Sequence, residues 1–114
     1  MQKTKLSKYH AKKTEVDGIT FDSKREAERD IYLNGLEAEG EITDLQRQVR
    51  FQLIPPQKRP DGKTERPCTY IADFVYWQNG QRIVEDVKGV ETDVYKLKRK
   101  LMLYLLGILI KEVK

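Results

Sequence analysis

Asn79-Gly80 stands between two runs dense in β-formers, residues 69–77 (TYIADFVYW) and 82–88 (RIVEDVK), and no other feature restricts the fold as much. Asn-Gly favours two-residue turns because both central positions take positive φ, and a turn of that length fixes the pairing of the strands it joins. With Asn79 and Gly80 as the loop, Gln78 pairs with Gln81, and counting back sets Val75 opposite Val84 and Asp73 opposite Asp86. Directly opposed residues project from one face. The period of two adds Lys88 to that face and sends Glu85 and Val87 to the other. The register therefore predicts two carboxylates and an ammonium together, bordered by the apolar Ile71, Val75 and Val84.

The rest of the chain supplies elements to pack on this hairpin. Asp17-Gly18 between Val16 and residues 19–21 is a shorter hairpin signal. Ser23 with Glu26 three residues later has the form of a capping box, opening a helix with Ala27, Ile31 and Leu36, beside Tyr32 and Leu33, on its apolar side and Gly40 at its end. Residues 45–53 alternate, with Val49, Phe51 and Leu53 on one side and Gln48, Arg50 and Gln52 on the other, as a half-buried edge strand would. Residues 55–67 are rich in Pro, Gly and charge and read as a loop. A second helix is expected from Thr92 or Asp93, burying Val94, Leu97, Leu101 and Leu105 and stopping at Gly107, with a last strand over residues 108–113. The order helix, strand, strand, strand, helix, strand predicts an α/β fold with a small mixed sheet. A chain of 114 residues has room for one modest core, so residues 15–114 are expected to form a single domain behind a basic arm, residues 1–14.

Composition narrows the chemistry. The single cysteine, Cys68, allows no internal disulfide, and the single histidine, His10, leaves too few ligands for a zinc finger and too few bases for a Cys/His nucleophile. A catalytic metal would therefore be held by oxygen. Residues 101–110, the longest apolar stretch, are about half of a membrane span, and a lysine-rich start with no apolar core behind it is not a signal peptide. A cytoplasmic protein with no membrane partner is expected. The net charge of +4 is modest, but the cations cluster at Lys3, Lys5, Lys8, Lys12 and Lys13 and again at Lys96, Lys98, Arg99 and Lys100. Such clusters suit a polyanion.

Two carboxylates about 4 Å apart repel by roughly 4 kcal/mol at an effective dielectric near 20. A divalent cation removes that cost, and Mg²⁺ suits one or two carboxylates completed by water and a phosphate. The plain alternative is a salt-bridge cluster in which Lys88 bridges the acids.

Ile71-Ala72-Asp73 followed by Glu85-Asp86-Val87-Lys88 resembles the PD-(D/E)XK nuclease superfamily, with Asp73 in the first motif and Asp86-x-Lys88 as the second. Together with FDSKREAE at residues 21–28, LQRQVRFQL at residues 45–53 and EDVKG at residues 85–89, the chain resembles a family of small phage and prophage endonucleases of the Holliday-junction-resolvase-like kind. Ala72 stands where the superfamily has proline, and Asp86 where glutamate is commoner; neither change removes a ligand. The resemblance implies a restriction-endonuclease-like αβββαβ core and a Mg²⁺-dependent endodeoxyribonuclease, with Mn²⁺ able to substitute. It implies Asp73, Asp86 and Glu26 as metal ligands, with Lys88 and Gln48 completing the catalytic set. For Glu26 the competing reading is the helix cap.

The expected reaction is in-line hydrolysis of a phosphodiester, leaving 5′-phosphate and 3′-hydroxyl ends. Lys96, Arg99 and Lys100 share one helix face and suit a phosphate strand. Lys58, Arg59, Lys63 and Arg66 on the loop, and Lys12 and Lys13 on the arm, extend the track. Nothing encodes base readout, so DNA shape is the expected target. Branched recombination intermediates follow by analogy; resolving them takes two opposed cuts and hence a homodimer, of which the Tyr and Trp side chains of the hairpin, read as exposed, give only a faint hint. A phage origin would put the protein in the host cytoplasm. Two other readings are a non-catalytic nucleic-acid-binding module of the same fold and a phage protein that binds a host protein.

Overall fold

The structure, a computed structural model, describes the backbone of residues 14–16 and 19–21 and the whole of residues 23–88 and 90–114. The basic arm expected over residues 1–14, with Lys12 and Lys13, lies outside the described residues except for the backbone of Thr14, and so does the Asp17-Gly18 turn. The chain divides into two compact units, the first ending at Thr43 and the second running from Asp44 to Lys114.

In the first unit β1 (Thr14–Val16) pairs antiparallel with β2 (Ile19–Phe21), Val16 opposite Ile19. Helix α1 (Lys24–Ala38) follows. Its N-cap is Ser23, whose hydroxyl accepts the Glu26 N–H at 3.1 Å and satisfies one of the donors that a helix start leaves open. At the other end Gly40 takes a φ of +79° and the Glu41 N–H closes onto the Leu36 carbonyl at 2.9 Å. The buried face carries Glu26, Ala27, Asp30 and Leu33. Ile31 and Tyr32, expected to be covered, are exposed. Apolar residues misplace this face because half of the buried stripe is acidic; Asp30 is held by the Asn34 side chain one turn on, at 3.0 Å.

The second unit is built on a mixed four-stranded sheet in the order β3-β6-β7-β8. Strand β3 (Thr43–Ile54) lies at an edge, as its alternation suggested, with Phe51 and Leu53 buried and Arg50 and Gln52 exposed. Between β3 and β6 the expected loop contains a small hairpin, β4 (Gln57–Lys58) with β5 (Thr64–Glu65). The central hairpin pairs β6 (Cys68–Gln78) with β7 (Gln81–Val87) antiparallel, Gln78 opposite Gln81 and Val75 opposite Val84. The turn has φ of +51° at Asn79 and +76° at Gly80, the pair of positive angles that Asn-Gly favours. Helix α2 (Asp93–Leu106) is capped by the Thr92 hydroxyl on the Tyr95 N–H and stopped by Gly107 at a φ of +68°. Strand β8 (Lys111–Val113) then pairs parallel with β7, Asp86 opposite Glu112. It is shorter than the expected 108–113 because the Ile108 N–H still closes the helix end onto the Met102 carbonyl.

One core joins Phe51, Leu53, Tyr70, Ala72, Val75, Val84, Tyr95, Met102 and Ile110. Two expectations fail against it. Helix α2 buries Tyr95 and Met102, while Val94, Leu97 and Leu105 are exposed and Leu101 is only half-buried. The β6 alternation also slips: Tyr70 and Ala72 share the core with Val75, which strict period two forbids, so Ile71 is exposed rather than bordering the acids. The slip falls at Asp73–Phe74, where the regular Cα register ends with Phe74 opposite Glu85; a change of face along one strand is what a bulge produces.

Candidate functional site

At that slip the Asp73 side chain turns to the neighbouring strand, and its Oδ2 accepts the Val87 N–H at 2.7 Å. A carboxylate held by a backbone donor keeps one orientation, at the end of the hairpin far from the Asn-Gly turn. Asp86, one residue before Val87, is 5 % exposed. Its Oδ2 accepts the Tyr70 phenol at 2.5 Å, and its Oδ1 meets the Lys88 ammonium at 3.2 Å. Tyr70 is within electrostatic reach of both acids. Burial, then the hydrogen bond and charge of Asp86, with smaller contributions from Tyr95 and Asp73, hold its phenol far above the usual tyrosine range. Tyr70 is therefore a permanent proton donor to Asp86.

Lys88 is clamped on its other side. Its Nζ lies 3.8 Å from the centre of the Tyr95 ring, a cation–π contact, and its backbone N–H is donated to the Val113 carbonyl of β8 at 2.9 Å. The Tyr95 hydroxyl is donated to Glu112 Oε2 at 2.7 Å, and Arg99 reaches that same oxygen at 2.8 Å and Glu91 at 3.4 Å. Burial and the bond to Glu112 push the Tyr95 phenol far up as well. The bonds from Tyr95 and Arg99 hold the Glu112 carboxyl below its usual range, and those acids raise Arg99. The chain Arg99–Glu112–Tyr95–Lys88–Asp86–Tyr70 thus crosses from α2 through β8 and β7 to β6, each member a hydrogen bond, ion pair or ring contact from the next.

Asp86 and Lys88 thus form an ion pair near one sheet end, and Asp73 is bonded to the backbone of Val87, the residue between them. Glu85 faces away and is fully buried, taking the Tyr76 hydroxyl on the opposite face. Glu26 belongs to the first unit, buried on α1 after its backbone N–H has served the cap. Gln48 is exposed on β3 with a φ of +53°, in the left-handed region that few residues other than glycine adopt. Of the expected cations, Lys58, Lys63, Arg66, Lys96 and Lys100 are exposed. Arg59 is matched by Asp61 at 2.8 Å and Glu65 at 3.4 Å, and Arg99 is matched by Glu112 and Glu91. Sequence reasoning missed Tyr70, Tyr95 and Glu112. Tyr70 could have been found only by allowing for the bulge, whereas the meeting of Tyr95 with Glu112 depends on the parallel pairing of β8, which no local spacing announces.

Among the described residues no group of three or more His, Cys, Asp and Glu side chains is gathered to hold a metal. Asp73 and Asp86 supply oxygen donors only. A carboxylate has about four lone-pair positions, of which Asp86 uses two on Tyr70 and Lys88, and carboxylate oxygen is the kind of donor a hard cation completed by water and phosphate takes. The donor set fits Mg²⁺.

The class defined by these features is an α/β protein with a mixed sheet and an acid–lysine site at the end of its central hairpin. The chain belongs to the family described as "Protein of unknown function (DUF1064)", whose model matches residues 6–110. No curated protein and no solved structure matches it. No helix among the described residues is long and apolar enough to cross a membrane.

Proposed function

We propose that the protein is a Mg²⁺-dependent DNA endonuclease of the PD-(D/E)XK kind, hydrolysing phosphodiester bonds in DNA and acting on branched intermediates. The observation that carries this reading is the Asp86–Lys88 pair, 3.2 Å apart, with the lysine held on an aromatic face and Asp73 bonded to the backbone of the intervening Val87. A mere fold-stabilising pair needs no second acid near it, and like charges in a protected corner are costly unless a cation joins them.

Asp73 and Asp86 would hold the cation, which when bound supplies charge neutralisation at the phosphate and activation of the attacking water. The chain's own groups do the rest. The Val87 N–H fixes the orientation of Asp73, and the Tyr70 hydroxyl fixes that of Asp86, so both carboxylates are set before substrate arrives. Lys88 presents an ammonium that can meet a non-bridging phosphate oxygen as negative charge builds there. The Tyr95 ring limits where that ammonium can move. Exposed Lys58, Lys63, Lys96 and Lys100 would take backbone phosphates, a contact that binds without reading sequence. Glu26 and Gln48 enter through the resemblance alone, and Glu26→Gln measures the first of these.

The experiment is to incubate labelled linear, nicked, flapped and four-way DNA with the protein in Mg²⁺, in Mn²⁺ and in EDTA. Cleavage in either metal and none in EDTA is expected, with Asp73→Asn and Asp86→Asn abolishing cutting while leaving DNA binding intact or tighter. Salt-dependent binding with no strand loss in either metal would replace the nuclease by a binding module; no DNA affinity at all would end both readings.

A further inference from the structure

Helix α2 carries a second apolar stripe, of which Leu101 also packs against the core while the other members are exposed. Tyr95 and Met102 face inward, but Val94 is 63 %, Leu97 58 % and Tyr104 85 % exposed, with half-buried Leu101 between them. The spacing 94, 97, 101, 104 is three, four, three, the a and d positions of two heptads, with Tyr95 and Met102 both at b. Leu105, also exposed, widens the stripe at an e position. A surface helix ordinarily has one apolar face, turned to its own core. Here there are two, and the outer one has the period of a helix–helix seam.

We infer that this seam pairs α2 with α2 of a second copy of the chain, the two helices parallel about a two-fold axis. Among the described residues the only other helix is α1, whose exposed apolar residues are the adjacent Ile31 and Tyr32 rather than a three-four series, so the matching seam is α2 itself. A two-fold contact brings like to like: Val94 meets Val94, Leu97 meets Leu97, Leu101 meets Leu101. A β-branched residue at a with leucine at d, as in Val94 and Leu97, is the combination that favours two strands. Charge selects the orientation. In a parallel pair each g residue faces the e residue of the next heptad on the partner, which sets Asp93 against Lys98 twice over and lays the Lys100 stem along Leu105. An antiparallel pair would set Lys100 beside Lys100 and Lys98 beside Lys98. The exposed Val94, Leu97, Tyr104 and Leu105 supply the apolar surface of the seam. The seam leaves Asp73, Asp86 and Lys88 outside the contact, and it stands whether or not the chain cuts DNA.

The test is sedimentation velocity and equilibrium on the full chain over a wide concentration range. A reversible dimer of twice 13.4 kDa is expected, abolished by Leu97→Glu, which alters an exposed residue and leaves the circular dichroism unchanged. Asp93→Lys and Lys98→Glu should each weaken the dimer roughly fivefold to tenfold, and the two combined should restore it. A chain that is monomeric throughout, or a dimer that survives Leu97→Glu, overturns the inference. Single charge changes without effect, or a double change that restores nothing, overturn the parallel pairing.

Discussion

Tyr70→Phe is the sharpest test of how the site is built. The substitution keeps the ring, stacked on Phe51 at a centroid distance of 6.5 Å and beside Tyr95 at 6.4 Å, and removes only the hydroxyl that meets Asp86 at 2.5 Å. A hydrogen bond to a charged group contributes about 1.5–3 kcal/mol, and the acceptor left behind is a carboxylate at 5 % exposure. A loss of ~2 kcal/mol is therefore expected at pH 7, lowering the urea midpoint at constant m and Tm by about 8 °C. The same residue leaves a second signature. Its folded pKa is raised, so its contribution is fully present below the unfolded value near 10 and is lost as pH climbs above it, where the unfolded chain sheds a proton that the folded chain keeps. The slope is about 1.4 kcal/mol per pH unit for each such tyrosine. Tyr70→Phe should remove that share of the alkaline decline, measured as the difference between variant and parent from pH 9 to 11. A variant as stable as the parent at pH 7, with an unchanged alkaline slope, would refute the assignment of Tyr70 as a fixed donor to Asp86.

Two further outcomes follow from other parts of the molecule. Glu112 has its pKa depressed by Tyr95 and Arg99, so its contribution is present above the unfolded value near 4.5 and is lost as pH falls through the lower folded value; Glu112→Gln should be less stable than the parent at pH 7, with the gap closing on acidification in urea titrations. Lys58→Gln and Lys63→Gln, both at exposed positions, should leave Tm unchanged and flatten the dependence of log affinity for duplex DNA on log salt by ~0.9 for each phosphate that is no longer neutralised.

The hairpin was legible in the sequence because Asn79-Gly80 admits few alternatives: the pairs Gln78 with Gln81 and Val75 with Val84 needed only counting. Asp86 and Lys88 followed from the same count. Asp73 followed only in part, since period two carries no signal for the slip that brings Tyr70 into the core and turns Asp73 to the Val87 N–H. Helix faces were harder for a different reason. On α1 the covered stripe includes Glu26 and Asp30, and on α2 the more apolar of two faces is the exposed one. Hydrophobic periodicity finds an apolar face but does not say what covers it, and on α2 the apolar Val94, Leu97 and Leu105 stand outside the chain's own core. The ion pairs of Arg59 and Arg99 were hidden in the same way: a run of cations gives no sign of which acids the fold will bring to it.

Whether Asp86 and Lys88 serve chemistry or merely the fold can be decided without a substrate. Removing one partner of a mostly buried pair strands a charge and typically costs 3–5 kcal/mol, whereas replacing the whole set by apolar groups of similar size is often neutral or stabilising by 1–4 kcal/mol. The side chains here are 7 % and 19 % exposed, so solvent screens little of the effect. Lys88→Met alone should therefore lower stability, leaving Asp86 with one donor instead of two. The triple variant Tyr70→Phe, Asp86→Leu, Lys88→Met removes donor, acid and ammonium together, so none of these three groups is left without the others. An acid–lysine pair kept for its reactivity predicts a triple variant at least as stable as the parent, because function, not stability, is what holds charge in a low-dielectric corner. A triple variant weaker than Lys88→Met alone would mean that the pair is there for the fold, and the nuclease reading would lose the observation it rests on.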